Sequence, residues 1–279
     1  MPGLDFTQTL HSNSHFQDNY PFACISVPGL LQIAEECGLE PWQAQIQALE
    51  NMICPQNYIR NYSTISLEMQ LSLARSRVLL VGAGGLGGYV LELLARSGTG
   101  QIQVADGDVF EESNLNRQLL SDMHNLGKSK VDAALARVAG INPLVGLTSC
   151  SRYLTPEDLP DILPGVDLVI DCLGGVQFRQ DLLQAAQTHE RTLVTGFVAG
   201  NTGLACTVYP GDNSPAAFWQ AEPDDGAEIT LGNVAATVGI IAAMQTREAI
   251  NILSGQSSCL RNRVFFAEMG ACSFQFLEL

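Results

Sequence analysis

A glycine-rich turn between a strand and a helix is the feature that most constrains the fold of this chain. The apolar segment RVLLVGAG, residues 77–84, runs directly into a helical pattern, GYVLELLARSG. The turn GAGGLG matches G-x-G-x-x-G, whose glycines permit a tight turn, close approach of backbone to phosphate and close packing of helix on strand. We therefore predict a nucleotide-binding strand–turn–helix, in which the nucleotide contacts Gly82, Gly84, Gly85 and Gly87.

The rest of the chain alternates between apolar strands and helical segments. VDLVIDCL and RTLVTGFVAG are fully apolar strands, and SKVDAALARVAGIN and VQFRQDLLQAAQTHE are helical patterns. Strands without a polar face are typical of parallel sheets covered by helices on both sides. We predict a doubly wound, mainly parallel, Rossmann-like α/β domain over residues 56–279, after a small helical N-terminal appendage at residues 1–55.

Three further segments carry weaker signals. The first 20 residues show little periodicity, and this polar stretch is expected to be loose at its start. Two amphipathic segments then flank Gly38 and could form a helix-turn-helix, although the acidic charge favours a packing or docking unit. Residues 210–233 are predicted to be a long loop, and the apolar helix at 234–254 fits either a dimer interface or the core of one subunit.

Composition excludes some classes of function. The 14 basic and 29 acidic residues give a net charge of −15, which argues against nucleic-acid binding. The longest apolar run, around NVAATVGIIAAM, is shorter than the roughly 20 residues that span a membrane. No leader pattern opens the chain, so we expect a soluble, cytoplasmic protein. The eight cysteines include no C-x-x-C pair, so no zinc site is expected.

The residues after the second strand favour a phosphate-rich nucleotide. Asp106 ends that strand 24 positions after Gly82, where an acid meets ribose hydroxyls. Asp108 follows, and then a loop and helix start that carry Asn114, Asn116, Arg117, Gln118, Lys128 and Lys130. Triphosphate carries more charge than a helix dipole offsets, so extra cations there are chemically sensible.

These motifs together resemble the ThiF/MoeB/HesA family of ubiquitin-activating-type adenylyltransferases. The segments RVLLVGAGGLGG, ADGDVFEESNLNRQLL, LGKSKVDAALARVAGINP and DLVIDCLGGVQFR appear in order, and the resemblance covers roughly residues 56–279. It implies ATP, Mg²⁺, a homodimer, and a small ubiquitin-like sulfur-carrier protein with a C-terminal Gly-Gly as substrate. The reaction would adenylate that carboxylate, in a pathway of the molybdopterin, tungstopterin or thiamine type.

The resemblance also implies roles for individual residues. Asp106 would bind the ribose, and Lys130 would neutralise charge on the α-phosphate. The segment NYIRN nominates Arg60 to enter the active site of the dimer mate. Beside the phosphates the resemblance places Gly84, Asn114, Arg117 and Gln118.

Departures from the family pattern leave alternatives open. Gly174 stands where the family has an acid that holds Mg²⁺, although Asp171 is retained as a catalytic candidate and could substitute, as could Asp106 or Asp108. Cys206 is expected to face the core, so we expect adenylation without a thiol step. A nucleotide-binding pseudoenzyme or regulatory module is one alternative function. An NAD-dependent oxidoreductase is another, although the chain's four histidines lie in no recognisable catalytic setting.

Overall fold

The N-terminal part of the chain is a unit of helices and short strands. The structure, a computed structural model, describes residues 5–213, 215 and 230–279. In chain order, this unit contains α1 (Phe6–Asn13), β1 (His15–Phe16), β2 (Ala23–Ile25), α2 (Val27–Cys37), α3 (Pro41–Glu50) and β3 (Ile53–Pro55). Strand β1 pairs antiparallel with β2, and β2 pairs parallel with β3.

The predicted helical appendage therefore also contains three short strands. Its strands are two or three residues long, too short to show the period-two alternation that marks a strand in sequence. From Asp5 onwards, the polar stretch at the start of the chain forms a capped helix. The Asp5 carboxylate accepts hydrogen bonds from the backbone N–H groups of Thr7 and Gln8 and so caps α1.

A buried polar network joins this unit to the rest of the chain. The Gln45 side chain donates to the Leu144 carbonyl over 2.9 Å and accepts from the Tyr58 hydroxyl over 2.9 Å. The Asn142 amide donates to the same hydroxyl over 2.7 Å and to the Ala95 carbonyl over 2.6 Å. Because each of these groups is buried, leaving one unpaired would cost free energy of folding.

The remaining elements build one large sheet and its covering helices. In chain order, they are α4 (Leu67–Arg75), β4 (Arg77–Val81), α5 (Gly85–Ser97), β5 (Gln101–Ala105), α6 (Lys130–Ile141), β6 (Gly146–Cys150), α7 (Leu159–Ile162), β7 (Leu168–Asp171), α8 (Gln177–Thr188), β8 (Thr192–Ala199), β9 (Thr202–Val208), α9 (Ala235–Leu253), β10 (Arg263–Glu268) and β11 (Ser273–Glu278). The strand order is β11-β10-β9-β8-β7-β4-β5-β6. From β6 to β8 neighbouring strands are parallel, and β9 to β11 add antiparallel.

Helices cover both faces of this sheet, as the apolar strands predicted. Successive side chains of a strand point to opposite faces. Val78 and Leu80 of β4 pack in the core under α5, α6 and α9, whereas Leu79 and Val81 pack in the core under α7 and α8. The predicted doubly wound α/β fold is confirmed.

Helix α9 packs inside this subunit. Its Ile241, Ala242 and Ala249 are fully buried in the core shared with α5, and the Gln245 amide donates to the Asp171 carbonyl over 2.8 Å. Of the two predicted roles for the 234–254 helix, these contacts are those expected for packing in the core of one subunit. No helix in the described ranges is long and apolar enough to cross a bilayer. The predicted 210–233 loop lies largely outside the described residues.

Candidate active site

A cleft of about 630 Å³ opens where β4, β5 and β7 end, and its wall includes Val81, Ala105 and Cys172. In the sheet, β4 lies between β5 and β7. The chain builds β5 and β6 on one side of β4 and then crosses to build β7 and β8 on the other side. Ligands of open α/β sheets bind at such switch points. The volume is in the usual range for small-molecule sites.

The glycine turn forms one wall of this cleft, and sterics explain its composition. Gly82 has φ +96°, and a Cβ atom there would lie 2.6 Å from the Cys172 carbonyl oxygen. A Cβ on Gly87 would lie 1.8 Å from the Gly82 carbonyl oxygen. Gly84 is the N-cap of α5 and provides no side-chain cap, and the helix start at Gly84, Gly85 and Leu86 lines the cleft. Such an N-terminus suits phosphate.

Asp106 fastens this turn to the end of β5. Its Oδ2 accepts the Ala83 N–H over 2.7 Å, and its Oδ1 accepts the Asp108 N–H over 2.8 Å. Each carboxylate oxygen has two lone pairs. The same carboxylate can therefore shape the turn and still accept from ribose hydroxyls, the role predicted from the sequence.

Lys130 and Asp108 form an ion pair in the cleft. Lys130 is the first residue of α6, its side chain is 7% exposed, and its Nζ lies 2.8 Å from Asp108 Oδ2. The Tyr153 hydroxyl donates to the other oxygen of Asp108. Burial raises the pKa of the Asp108 carboxyl, but the hydrogen bonds from Lys130 and Tyr153 outweigh burial and hold that pKa below its usual range.

The loop after β5 brings the other predicted phosphate contacts to the same cleft. Asn114 is buried, and its Oδ1 accepts the Glu111 N–H over 3.1 Å. Arg117 donates to the Ser113 carbonyl over 2.9 Å, which leaves other guanidinium donors for a ligand. Gln118 is 7% exposed, and its Oε1 has no hydrogen-bond partner among the described residues. Asn114, Arg117 and Gln118 all line the cleft.

Other candidates lie elsewhere. Asp171 is 1% exposed and ion-paired with Arg179, so it does not line the cleft although Arg179 does. Arg60 is exposed on the 3₁₀ helix Gln56–Asn61, outside the cleft wall of its own subunit. Lys128 is exposed and also lies outside that wall.

Sequence reasoning missed two side chains of this site. Tyr153 follows β6, and Arg179 lies in the first turns of α8. Neither belongs to a motif with a spacing rule. Tyr153 lies 45 positions from its partner Asp108, and Arg179 lies eight positions from its partner Asp171. The only sequence signal for both residues was that they follow the carboxyl ends of the predicted strands β6 and β7, where the loops of parallel sheets carry site residues.

The described acids do not form a magnesium site built from side chains alone. Mg²⁺ requires oxygen ligands in near-octahedral geometry. Asp106 is bonded to backbone, Asp108 to Lys130, and Asp171 to Arg179. Gly174 lines the cleft but has no side chain, so it offers no side-chain ligand there. The described part of the chain contains no group of three or more His, Cys, Asp or Glu residues suited to a metal.

The buried thiols are not activated. Burial raises the pKa of the Cys172 thiol well above its ordinary value, and the charge of Asp171 adds to this. Burial also raises the pKa of Cys206 to about 12. The thiolate is the nucleophilic form of cysteine, so neither group is poised for covalent catalysis at neutral pH.

This chain is similar to known proteins. The model of the ThiF family matches residues 58–279. The adenylyltransferase and sulfurtransferase MOCS3 of Drosophila sechellia is 33% identical over 215 residues, which are 75% of this chain and 47% of that protein. The sulfur carrier protein ThiS adenylyltransferase of Escherichia coli is 32% identical over 195 residues, 68% of this chain and 77% of that protein.

The chain thus spans about half the length of relatives such as MOCS3. Among solved structures, E. coli MccB with ATP superposes with a TM-score of 0.68 at 17% identity, over 89% of this chain and 82% of MccB. This likeness concerns the fold. The family match covers the glycine turn, the SNLNRQ loop and the lysine of α6 in one continuous range. From its sequence and its architecture, this chain belongs to the ThiF family.

Proposed function

We propose that this chain is an ATP-dependent adenylyltransferase that activates the C-terminal glycine carboxylate of a small ubiquitin-like sulfur-carrier protein. The observation that carries the proposal is the convergence of the α5 N-terminus, Arg117 and Lys130 on one cleft. The names of the relatives support it, because they include ThiS and molybdopterin-synthase adenylyltransferases and a SAMP-activating enzyme E1. The proposed carrier serves a pathway of the molybdopterin, tungstopterin or thiamine type.

In the proposed reaction the carboxylate attacks the α-phosphorus of ATP. A bond forms between the carboxylate oxygen and the α-phosphorus, and the bond to the β-phosphate oxygen breaks and releases pyrophosphate. Lys130 and Arg117 stabilise the charge on the phosphates, and the backbone of Gly84 and Gly85 lies against them. Asp106 accepts from the ribose. No step depends on a metal held by side chains.

The proposed assembly is a homodimer in which Arg60 reaches the active site of a second subunit. Its exposure on a short 3₁₀ helix leaves its guanidinium available for such a contact. Nucleic acid and membrane are not part of the proposal. The cytoplasmic location stays a prediction from sequence.

One alternative has its own supporting observations. The supported alternative is a protein that binds nucleotide without adenylating a partner. Two observations support it: Gly174 provides no acid in the cleft, and the described residues contain no group of side chains suited to a metal. The oxidoreductase alternative has no such support, because none of the four histidines lines the cleft.

ATP–pyrophosphate exchange tests the proposal. Each Gly-Gly-ending ubiquitin-like protein encoded in the same genome is added to the full chain with ATP and Mg²⁺. We expect exchange with one carrier, and a loss of about 100-fold or more in Lys130→Ala and Arg117→Ala. Lys128→Ala, an exposed lysine two positions away, is the matched control and retains activity. ATP binding without exchange for any carrier would identify the nucleotide-binding module instead.

A further inference from the structure

Tyr153 connects the loop after β6 to the ion pair in the cleft. Its hydroxyl donates to Asp108 Oδ1, while Lys130 Nζ lies 2.8 Å from Oδ2 of the same carboxylate. The chain is shaped for this contact, because a Cβ on Gly107 would lie 2.7 Å from the Tyr153 nitrogen and 2.8 Å from its ring. Only a residue without a side chain allows the loop to approach so closely.

We propose that Tyr153 is a positioning residue of the adenylation site, which holds Asp108 so that Asp108 fixes the ammonium group of Lys130 toward the phosphates. This inference rests on the proposed function for its catalytic consequence. The geometry itself does not depend on that function.

The need for such a device follows from the side chains involved. Lysine carries its charge on a flexible four-carbon stem, so its position must be set by contacts. The Asp108 side chain is 47% exposed and, with Lys130 alone, would be held through one oxygen. The Tyr153 hydroxyl holds the second oxygen and so fixes the orientation of the carboxylate. One Lys130 N–H then points to Asp108, and two remain for a ligand.

The protonation states support this arrangement. The hydrogen bond to Asp108 raises the pKa of Tyr153 to about 12, and burial and the charges of Asp108 and Asp106 add to this. The phenol therefore stays a donor at neutral pH. The Asp108 pKa lies below its usual range, so that carboxylate stays an acceptor.

Amine labelling tests the inference without any need for catalysis. Lys128 and Lys130 are the only lysines of the chain, so each label can be assigned by mass spectrometry and Lys128 serves as an internal reference. The full chain is treated with trace acetic anhydride, and the ratio of Lys130 to Lys128 labelling is measured. We expect this ratio to rise about threefold to fivefold in Tyr153→Phe. Asp108 remains, but without the Tyr153 hydroxyl it is no longer held in one orientation, so it shields the Lys130 amine less. Tyr209→Phe, which removes a hydroxyl outside the cleft, keeps the wild-type ratio.

Kinetics provide the second readout. In pyrophosphate exchange, Tyr153→Phe should lower kcat about fivefold to tenfold and change KM for ATP less than twofold, since the loss acts on the transition state. An unchanged labelling ratio overturns the inference. A variant with lower kcat, higher KM for ATP and lower thermal stability also overturns it, because that combination indicates a merely structural role. If wild-type protein shows no exchange while the labelling ratio still rises, the proposed function fails and the positioning role stands.

Discussion

Arg179 Nη1 lies 2.5 Å from Asp171 Oδ2, and both side chains are 1% exposed. The Thr195 hydroxyl donates to the same Oδ2 over 2.6 Å, and Arg179 Nε donates to the Gly175 carbonyl over 2.8 Å. The pair therefore joins β7, α8 and β8 beneath the cleft. Asp171 was predicted to be a catalytic or metal-binding acid, but its described contacts are those of a residue that holds the β7–α8 loop in place.

This pair should matter strongly for stability. Arg179→Met leaves the buried Asp171 carboxylate without its cation, and we expect a loss of about 3–5 kcal/mol in free energy of unfolding, measured by urea denaturation. The double variant Asp171→Leu/Arg179→Met removes both charges and should recover most of that loss. A loss below about 1 kcal/mol in the single variant would show that water reaches the pair.

A carboxylate at position 174 should make nucleotide binding more dependent on magnesium. Gly174 lines the cleft and a Cβ there meets no atom within 4 Å, so Gly174→Asp adds an oxygen ligand with little steric cost. Calorimetry of ATP binding with and without Mg²⁺ measures the effect, and we expect Mg²⁺ to tighten binding several-fold more in this variant than in wild type. Gly174→Asn, similar in size and neutral, is the control. Equal Mg²⁺ dependence in all three proteins would contradict the prediction.

The stability of the α5–α6 contact should depend on acid pH through Glu92. Its side chain is 8% exposed and accepts from Arg137 Nε over 2.7 Å and from Arg96 Nε over 2.8 Å. Burial raises the pKa of Glu92, but the hydrogen bonds and charges of the two arginines outweigh burial and lower that pKa overall. A lowered folded-state pKa gives stability that is present above the unfolded value of about 4.3 and is lost as pH falls through the folded value.

Glu92→Gln should therefore be less stable than wild type at pH 7, and the difference should shrink in acid. Urea denaturation at pH 7 and at about pH 3 measures both quantities. Glu36→Gln, on an exposed part of α2, should follow the wild-type profile. A difference between Glu92→Gln and wild type that is constant across this range would mean that the carboxyl does not titrate with a lowered pKa.

Adenylation should not require Cys206. This thiol is 3% exposed on β9, and its pKa is raised to about 12 by burial. We expect Cys206→Ala to retain exchange activity within about twofold, with a stability loss of about 1 kcal/mol from the lost sulfur packing. A carrier protein trapped on this residue as a hydroxylamine-sensitive adduct would contradict the interpretation.

Much of the nucleotide site was readable from sequence because its constraints are local. Gly82 and Gly87 must be glycine because a Cβ atom there would collide with the carbonyl oxygens of Cys172 and Gly82, respectively. Strand β4 and helix α5 follow directly from the pattern of apolar residues. Asp106 ends the neighbouring strand, so parallel pairing of β4 and β5 brings it to the turn. The loop with Arg117 and the start of α6 with Lys130 follow in the next crossover.

The tertiary structure decided how these groups are paired. Asp108 contacts Tyr153 from 45 positions away. Asp171 pairs with Arg179 only eight positions away, but the pair forms because the β7–α8 loop folds back and buries both side chains. Whether a carboxylate binds a ligand or a buried arginine depends on what the fold places beside it, and neither pairing leaves a periodic trace in sequence. The same reason hid the short strands β1 to β3, which exist because they pair with one another. Sequence thus determined the main elements of the nucleotide-binding sheet and the position of the site, and tertiary packing determined which side chains pair with Asp108 and Asp171.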